Sequence, residues 1–214
     1  MKIENLKVYD LDESILASGF PMRTKVCSEG EVSLKDINRG LNLVEASNEN
    51  GAHAQWLTGV RVAMDLTCTN KMWVEAERYR FLEFVSSQST MHRIAKFDIS
   101  SQCNSYVDKR ILDVVEILRR EYKENSTTQN YLKLLYNIPS GFELTARITT
   151  NYRCLLNIYI QRNSHRLPEW REFCDYIYNN LPLFKEIVAA YQHEFDMDKF
   201  KLESETEQQL EMNL

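Results

Sequence analysis

Ser86–Asn104 reads SSQSTMHRIAKFDISSQCN, and the rest of the chain takes its meaning from this stretch. Gln88, His92, Arg93, Lys96, Asp98 and Ser101 crowd into it without the alternation of a half-buried strand or the apolar stripe of a surface helix. An adjacent His-Arg pair between serine-rich segments suits a loop that wraps phosphates or an aromatic ring system. Arginine would supply a fork of donors there, and histidine a stack or a hydrogen bond. The alternative is a polar loop whose hydrogen bonds are satisfied within the chain.

Working outward, the segment before this stretch is the clearest strand signal, Trp56–Thr69. Val60, Val62, Met64 and Leu66 alternate with Arg61, Ala63 and Asp65, giving one apolar and one mixed face. Asn70–Val85 reads as a helix that delivers the chain into the His-Arg stretch, and Trp56 and Trp73 read as core. Toward the N-terminus, Val8, Leu11, Ile15 and Leu16 suggest a strand or turn feeding a short helix. Leu34–Asn48 suggests a second helix, which Gly40 weakens. Asn48–His53 is turn chemistry.

Beyond Asn104, Ile111–Tyr122 and Gln129–Tyr136 show helical stripes, the second stopping before Pro139. Phe142–Gln161, taken as one helix, places Asn151, Leu155, Ile158 and Arg162 on one side and Arg153 and Asn157 nearly opposite, with apolar residues all round. Such a helix is either a core element with structural hydrogen bonds or one inside a subunit interface that lends polar groups to a ligand. Pro168 suits the first turn of the next helix, and a last one runs from Leu181 through Phe195.

Composition narrows the function classes. A length of 214 residues with 43% apolar and 27% charged residues is that of an ordinary globular protein. A net charge of −5 argues against a nucleic-acid polymer as partner, whereas a mononucleotide phosphate needs only a local basic pocket. No apolar run approaches a membrane span, MKIENLKVYD is no signal peptide, and five dispersed cysteines without metal-ligand spacing read as reduced thiols. A soluble, cytoplasmic protein without a structural metal is expected.

With both informative segments in view, the chain resembles the flavin-dependent thymidylate synthases, the ThyX family. The family signature is RHR, seven residues, then S-x-R-Y, with a glutamine three residues ahead. Here the register reads Gln88, then Met91-His92-Arg93, seven residues, then Ser101-Gln-Cys103-Asn104. A second family block of N-x-R, N and R is held at Asn151, Arg153, Asn157 and Arg162, followed by His165 and Trp170 with a one-residue shift. Pro139 and His53 also match family positions, so the likeness spans roughly His53 to Leu181.

The resemblance implies an α+β fold, an antiparallel sheet packed with helices, in a single catalytic domain over 1–202 with an acidic polar tail at 203–214. It also implies a homotetramer with active sites shared between subunits. FAD would contact His53, His92, Arg93, Asn151, Arg153, Asn157 and His165, with Arg166 as the alternative to His165. A pyrimidine mononucleotide would contact Gln88, Ser101 and Arg162, with Arg162 and Gln88 carrying the catalytic roles. The implied reaction converts dUMP to dTMP with NADPH and methylenetetrahydrofolate as co-substrates.

Departures from the pattern keep two other readings in play. Met91 stands for the first signature arginine, Cys103 and Asn104 for the closing Arg-Tyr, Ile99 for an acidic residue, and Leu135 for an arginine ahead of Pro139. Each lost charge-assisted hydrogen bond removes roughly 1.5–3 kcal/mol from dUMP binding unless Lys96, Lys109 or Arg110 compensates. One alternative is methyl or hydroxymethyl transfer to another pyrimidine nucleotide. The other is a non-catalytic homologue that binds a nucleotide or a partner chain.

Overall fold

The computed structural model describes residues 1–27, 29–50 and 52–201, and the acidic tail expected at 203–214 lies outside the described residues. The strand signal is borne out as β2 (Arg61–Thr69), preceded by a 3-10 turn at Gln55–Thr58. Val62, Met64, Leu66 and Cys68 are buried, as the alternation requires, and Ala63 on the mixed face is buried too. The sheet order is β1 (Lys2–Tyr9), β2, β4 (Glu143–Asn151), β3 (Glu83–Ser87), so β2 is paired along both edges. Strand β3 runs antiparallel to β4. The α+β class therefore stands.

Three strands share a polar cluster on the sheet. Arg147 on β4 donates to Asp65 on β2 (3.1 Å) and to the Asn5 carbonyl on β1 (3.0 Å), and the Asn5 amide donates to Asp65 (2.6 Å). Asn5 and Arg147 together hold the Asp65 carboxyl below its ordinary range. Asn5 sits at φ 51°, a left-handed conformation that asparagine tolerates better than most residues.

Two expectations fail. The helix expected over Asn70–Val85 ends early, as α3 (Asn70–Ala76); a series of turns follows and then β3. Phe84 and Val85 are apolar but exposed, and β3 is irregular between Phe84 and Ser86, so a pattern read as buried helix belongs to a bulged edge strand. The helix expected over Phe142–Gln161 is strand β4 followed by α7 (Tyr152–Arg162). Thr145, Ile148, Thr149 and Thr150 are β-branched, and Ala146, Ile148 and Thr150 are buried at a period of two. Asn151 thus ends a strand and does not share a helical face with Arg162.

By contacts, the chain groups into two compact units. The first comprises Met1–Lys7, Val62–Thr150 and Arg162–Phe173, and so holds most of the sheet. Its helices include α4 (Thr90–Arg93), α5 (Lys109–Glu124) and α6 (Thr128–Tyr136), the last two being the helices read from periodicity. Asp108 and Thr127 cap α5 and α6 by accepting from Arg110 N (2.8 Å) and Asn130 N (3.2 Å). Ile94, Ile99, Val115, Leu134 and Phe142 form a buried cluster there, with Phe97, Leu112 and Tyr131 packed against it.

The second unit comprises Val8–Arg61, Asn151–Gln161 and the chain from Cys174 onward. In it α2 (Leu34–Asn50) packs on α1 (Leu11–Ala17) and on α9 (Phe184–Tyr191). Ser33 and Asp36 form a reciprocal capping box at the start of α2, with Asp36 N donating to Ser33 Oγ (3.3 Å) and Ser33 N to Asp36 (3.2 Å). The Ser33 hydroxyl and Arg39 hold the Asp36 carboxyl down to about 2. Gly40 does not interrupt α2. It lets the Trp56 indole approach and donate to the Gly40 carbonyl (3.1 Å), where an added Cβ would lie 3.3 Å from the ring.

α8 (Pro168–Asn180) begins at the expected proline, while the helix expected from Leu181 through Phe195 is α9, which starts at Phe184 and ends at Tyr191. Trp56 and Trp73 are both buried, as read. Among the described residues no helix is long and apolar enough to cross a membrane.

Ile99, which stands where the resemblance expects an acid, is fully buried in the first unit's cluster. Ile99→Ala should lower unfolding free energy by about 2–5 kcal/mol in urea titrations. Ile99→Asp should cost more, because it leaves a buried carboxylate without a partner. An Ile99→Asp protein as stable as wild type would overturn this packing.

Candidate functional site

The Ser86–Asn104 stretch is neither one loop nor one element. It finishes β3, makes one turn of α4 and a 3-10 turn at Ile94–Lys96, and returns to the sheet through an isolated bridge between Cys103 and Phe142. Ile94 and Ile99 anchor it in the core. Both readings of its polar residues hold, for different residues. Gln88 extends the β3–β4 ladder: its N–H donates to the Thr145 carbonyl (2.9 Å) and its Oε1 accepts from Thr145 N (2.9 Å). Ser101 Oγ donates to the Asp98 carbonyl (3.1 Å), a local turn bond. His92, Arg93 and Lys96 are exposed and meet no protein acceptor among the described residues, which leaves a local cationic group in an acidic chain.

The departures from the signature are structural. The Met91 carbonyl accepts from the Tyr131 hydroxyl, and the Met91 side chain is exposed. Asn104 N donates to the Gly141 carbonyl (2.9 Å), and Asn104 Oδ1 accepts from Tyr106 N (3.2 Å). Burial, and then the charge of Glu143, push the Cys103 thiol up to about 11, so it is protonated at neutral pH and is not a nucleophile.

Arg162, the last residue of α7, is held by residues distant in sequence. Its Nε donates to the Tyr79 hydroxyl (2.8 Å) and its Nη1 to Glu75 (3.2 Å), and its guanidinium lies over the Trp170 ring (5.1 Å). Glu75, on α3, also accepts from Trp170 Nε1 (3.0 Å) and pairs with Lys71 (3.2 Å). His165 Nε2 lies 2.7 Å from Arg162 Nη1, and His165 Nδ1 accepts from Leu167 N (3.2 Å). Burial raises the Glu75 carboxyl, but the bonds from Lys71 and Trp170 outweigh it and hold the group below its ordinary value. Arg162 Nη2 meets no protein acceptor among the described residues, so one edge of a preset guanidinium is left to donate. The sequence reading missed Glu75, Tyr79, Lys71 and this use of Trp170; the i,i+4 spacing of Lys71 and Glu75 marks only a surface pair.

Gln88, Ser101 and Arg162 all lie in the first unit, with His92, Arg93 and His165; His53, Asn151, Arg153 and Asn157 lie in the second. Within the second unit, Asn151 Oδ1 accepts from Cys154 N (2.9 Å) and so caps α7, Arg153 is half-buried, and Asn157 is exposed. His53 is exposed on a turn and lines a groove of about 610 Å³ with Trp56, Met22, Leu43 and Arg39. Arg166, the alternative to His165, lines a different cleft in the first unit.

This arrangement of sheet and helices is that of a known class of solved structures. The chain has the fold of the flavin-dependent thymidylate synthase ThyX from Helicobacter pylori, solved in complexes with FAD and dUMP. In one complex the TM-score is 0.67 at 15% identity, over 92% of this chain and 100% of that one. In another it is 0.68 at 16% identity, over 90% and 100%. A UMP/dUMP methylase, PolB from Streptomyces cacaoi bound with 5-Br dUMP, matches with a TM-score of 0.64 at 12% identity, over 92% and 96%. No family model and no curated protein matches the sequence.

Glu75 gives the Arg162 assembly a defined acid response. Its folded-state pKa lies below the unfolded value near 4.5, so its contribution is complete above that value and fades as pH falls through the folded value. Wild type should therefore melt above Glu75→Gln at pH 7, and the gap should narrow as the pH falls below the ordinary carboxylate range. Parallel melting curves from pH 7 to 3 check this, and a gap independent of pH would contradict it.

Proposed function

We propose that the chain binds FAD and a pyrimidine nucleotide and methylates the pyrimidine, as in the conversion of dUMP to dTMP with methylenetetrahydrofolate and NADPH. The observation that carries this reading is the shared fold, along nearly the whole of both chains, with an enzyme solved with FAD and dUMP. The residues fit a flavin: His92 and Arg93 offer unpaired donors of the kind a diphosphate takes. Asn151, Arg153, Asn157, His53 and His165 are the further residues assigned to it. When bound, FAD would supply the redox chemistry of the reaction.

The chain's own residues bind and orient. Arg162, its Nε and Nη1 engaged, donates through Nη2 to a pyrimidine carbonyl and stabilises negative charge that develops there. Gln88 Oε1 is committed to Thr145, so Gln88 acts as a donor through Nε2 to a nucleotide oxygen. Ser101 meets the same nucleotide by turning its hydroxyl away from the Asp98 carbonyl that it bonds here. No protein nucleophile is required, in keeping with the raised thiol of Cys103.

A second reading keeps fold and flavin but changes the nucleotide. Its support is specific: Met91 and Cys103 stand where the signature carries arginines, and one structural neighbour is a UMP/dUMP methylase. Homotetramer formation belongs to the same proposal. On α5, Ile111, Val114 and Ile117 are exposed, an apolar group of the kind that marks subunit contacts.

Visible absorbance before and after anaerobic NADPH should show a flavin that bleaches. Turnover of dUMP, UMP and dCMP with methylenetetrahydrofolate then identifies the substrate. Protein that is colourless and takes up no added FAD sinks the proposal, while a flavin that NADPH leaves oxidised points to a non-catalytic binder. Arg162→Ala should lose about a hundredfold or more in turnover with FAD still bound; normal turnover would remove Arg162 from the chemistry. Light scattering should give four times the chain mass of 25.2 kDa, and a monomer would rule out shared sites.

A further inference from the structure

The ring of His165, in the first unit with Arg162, is caught between two N–H donors. Leu167 N donates to its Nδ1 (3.2 Å), and its Nε2 lies 2.7 Å from Arg162 Nη1. A guanidinium nitrogen only donates, whereas a neutral imidazole has one N–H and one lone pair. If Nδ1 carries the lone pair, as the Leu167 bond requires, Nε2 carries a hydrogen that meets the hydrogens of Nη1. If Nε2 carries the lone pair, a hydrogen on Nδ1 meets the Leu167 N–H instead. Neither tautomer satisfies both contacts, and an imidazolium satisfies neither.

The surroundings keep the two donors face to face. His165 N donates to the Arg162 carbonyl (3.0 Å) and the His165 carbonyl accepts from Arg171 Nη1, so the backbone under the ring is held on both sides. Arg162 is fixed by Tyr79, Glu75 and the Trp170 ring. The carboxylate beside the ring is that of Glu75. Its Oε2 is 3.7 Å from His165 Nε2, too far for a hydrogen bond, and it already accepts from Arg162 and Trp170. Among the described residues the assembly is thus one acceptor short. A native structure keeps such a mismatch where the group has work outside the fold, and the His165 side chain, 26% exposed, is open to a ligand.

We propose that His165 is a nucleotide-binding residue. In the tautomer that Leu167 selects, its Nε2–H joins Arg162 as a second donor to one carbonyl oxygen of the pyrimidine. That oxygen has two lone pairs, so it accepts from both and replaces a donor–donor contact with two hydrogen bonds. The pair grows stronger as negative charge develops on the oxygen. The inference rests on the nucleotide part of the proposed function. It moves His165 from the flavin, where the sequence register puts it, to the pyrimidine.

Two substitutions separate the ring nitrogens. His165→Asn keeps an acceptor near the Nδ1 position for Leu167 N and removes the N–H at Nε2, whereas His165→Gln returns an amide N–H near Nε2. The full chain, with FAD present, is titrated calorimetrically with dUMP, UMP and dCMP, and FAD affinity is read separately from flavin absorbance. The nucleotide that binds wild type most tightly should bind His165→Asn about three- to tenfold more weakly, and His165→Gln should recover most of that loss. FAD affinity should be the same in all three proteins. Without ligand, His165→Asn should melt at or above wild type, because the donor–donor contact is gone. The proposal is overturned if His165→Asn binds the nucleotide as tightly as wild type, or if FAD affinity falls while nucleotide affinity holds. It is equally overturned if His165→Asn melts below wild type and loses both ligands, the mark of a brace for Arg162. Wild type that binds none of the three nucleotides removes the nucleotide reading and this inference with it. A wild type that binds one of them and is matched by His165→Asn removes this inference alone.

Discussion

The carboxylate of Glu75 gathers three donors, Lys71, Arg162 and Trp170, and the Arg162 guanidinium is further fixed by the Tyr79 hydroxyl and the Trp170 ring. Glu75 and Arg162 are mostly buried, at 16% and 14% side-chain exposure, so neither charge is tolerable without the other. That mutual need fixes the end of α7 against α3 and the start of α8, although 87 residues separate Arg162 from Glu75. It also spends two of the guanidinium's nitrogens and leaves the third. An arginine held this way has little freedom left to lose when an acceptor arrives, which is how preorganisation adds to affinity and to rate.

The signature stretch is built on the same logic with different materials. Where the resemblance expects an acid, an arginine and a tyrosine, this chain places groups that fold it: Ile99 in the buried cluster, Cys103 bridging to Phe142, and Asn104 tying the turn to Gly141. The polar side chains that remain, His92, Arg93 and Lys96, are the ones the fold does not use. A stretch whose structural residues and free residues separate so cleanly has kept a scaffold while its chemistry is open to change, and fold alone does not fix which chemistry is performed.

How much of this could be read from the residues follows physical lines. α5 and α6 were legible from their apolar stripes, while their capping side chains, Asp108 and Thr127, were not read. β2 was legible because its alternation is clean over most of its length. β3 and β4 were not. β3 carries exposed Phe84 and Val85 next to each other on a bulged edge, and β4 runs without a break in composition into a helix that really is apolar on most sides. Of the site, the sequence pattern reached Arg162 but not its holders, since Tyr79 and Glu75 look like surface residues until long-range contacts bury them. Gly40 was legible as a weakness in a helix, but its cause, the indole of Trp56, was not.

That indole belongs to a division with an optical consequence. Trp56 lies in the second unit, donating to the Gly40 carbonyl, whereas Trp73 and Trp170 lie in the first, donating to the Leu144 carbonyl and to Glu75. Intrinsic emission therefore comes from two chromophore sets, and one indole alone, Trp170, is hydrogen-bonded to a carboxylate. Unfolding of the first unit frees one indole from a carboxylate, while unfolding of the second frees one only from a backbone carbonyl. Emission from the three indoles thus samples both units, with no dye or added cofactor.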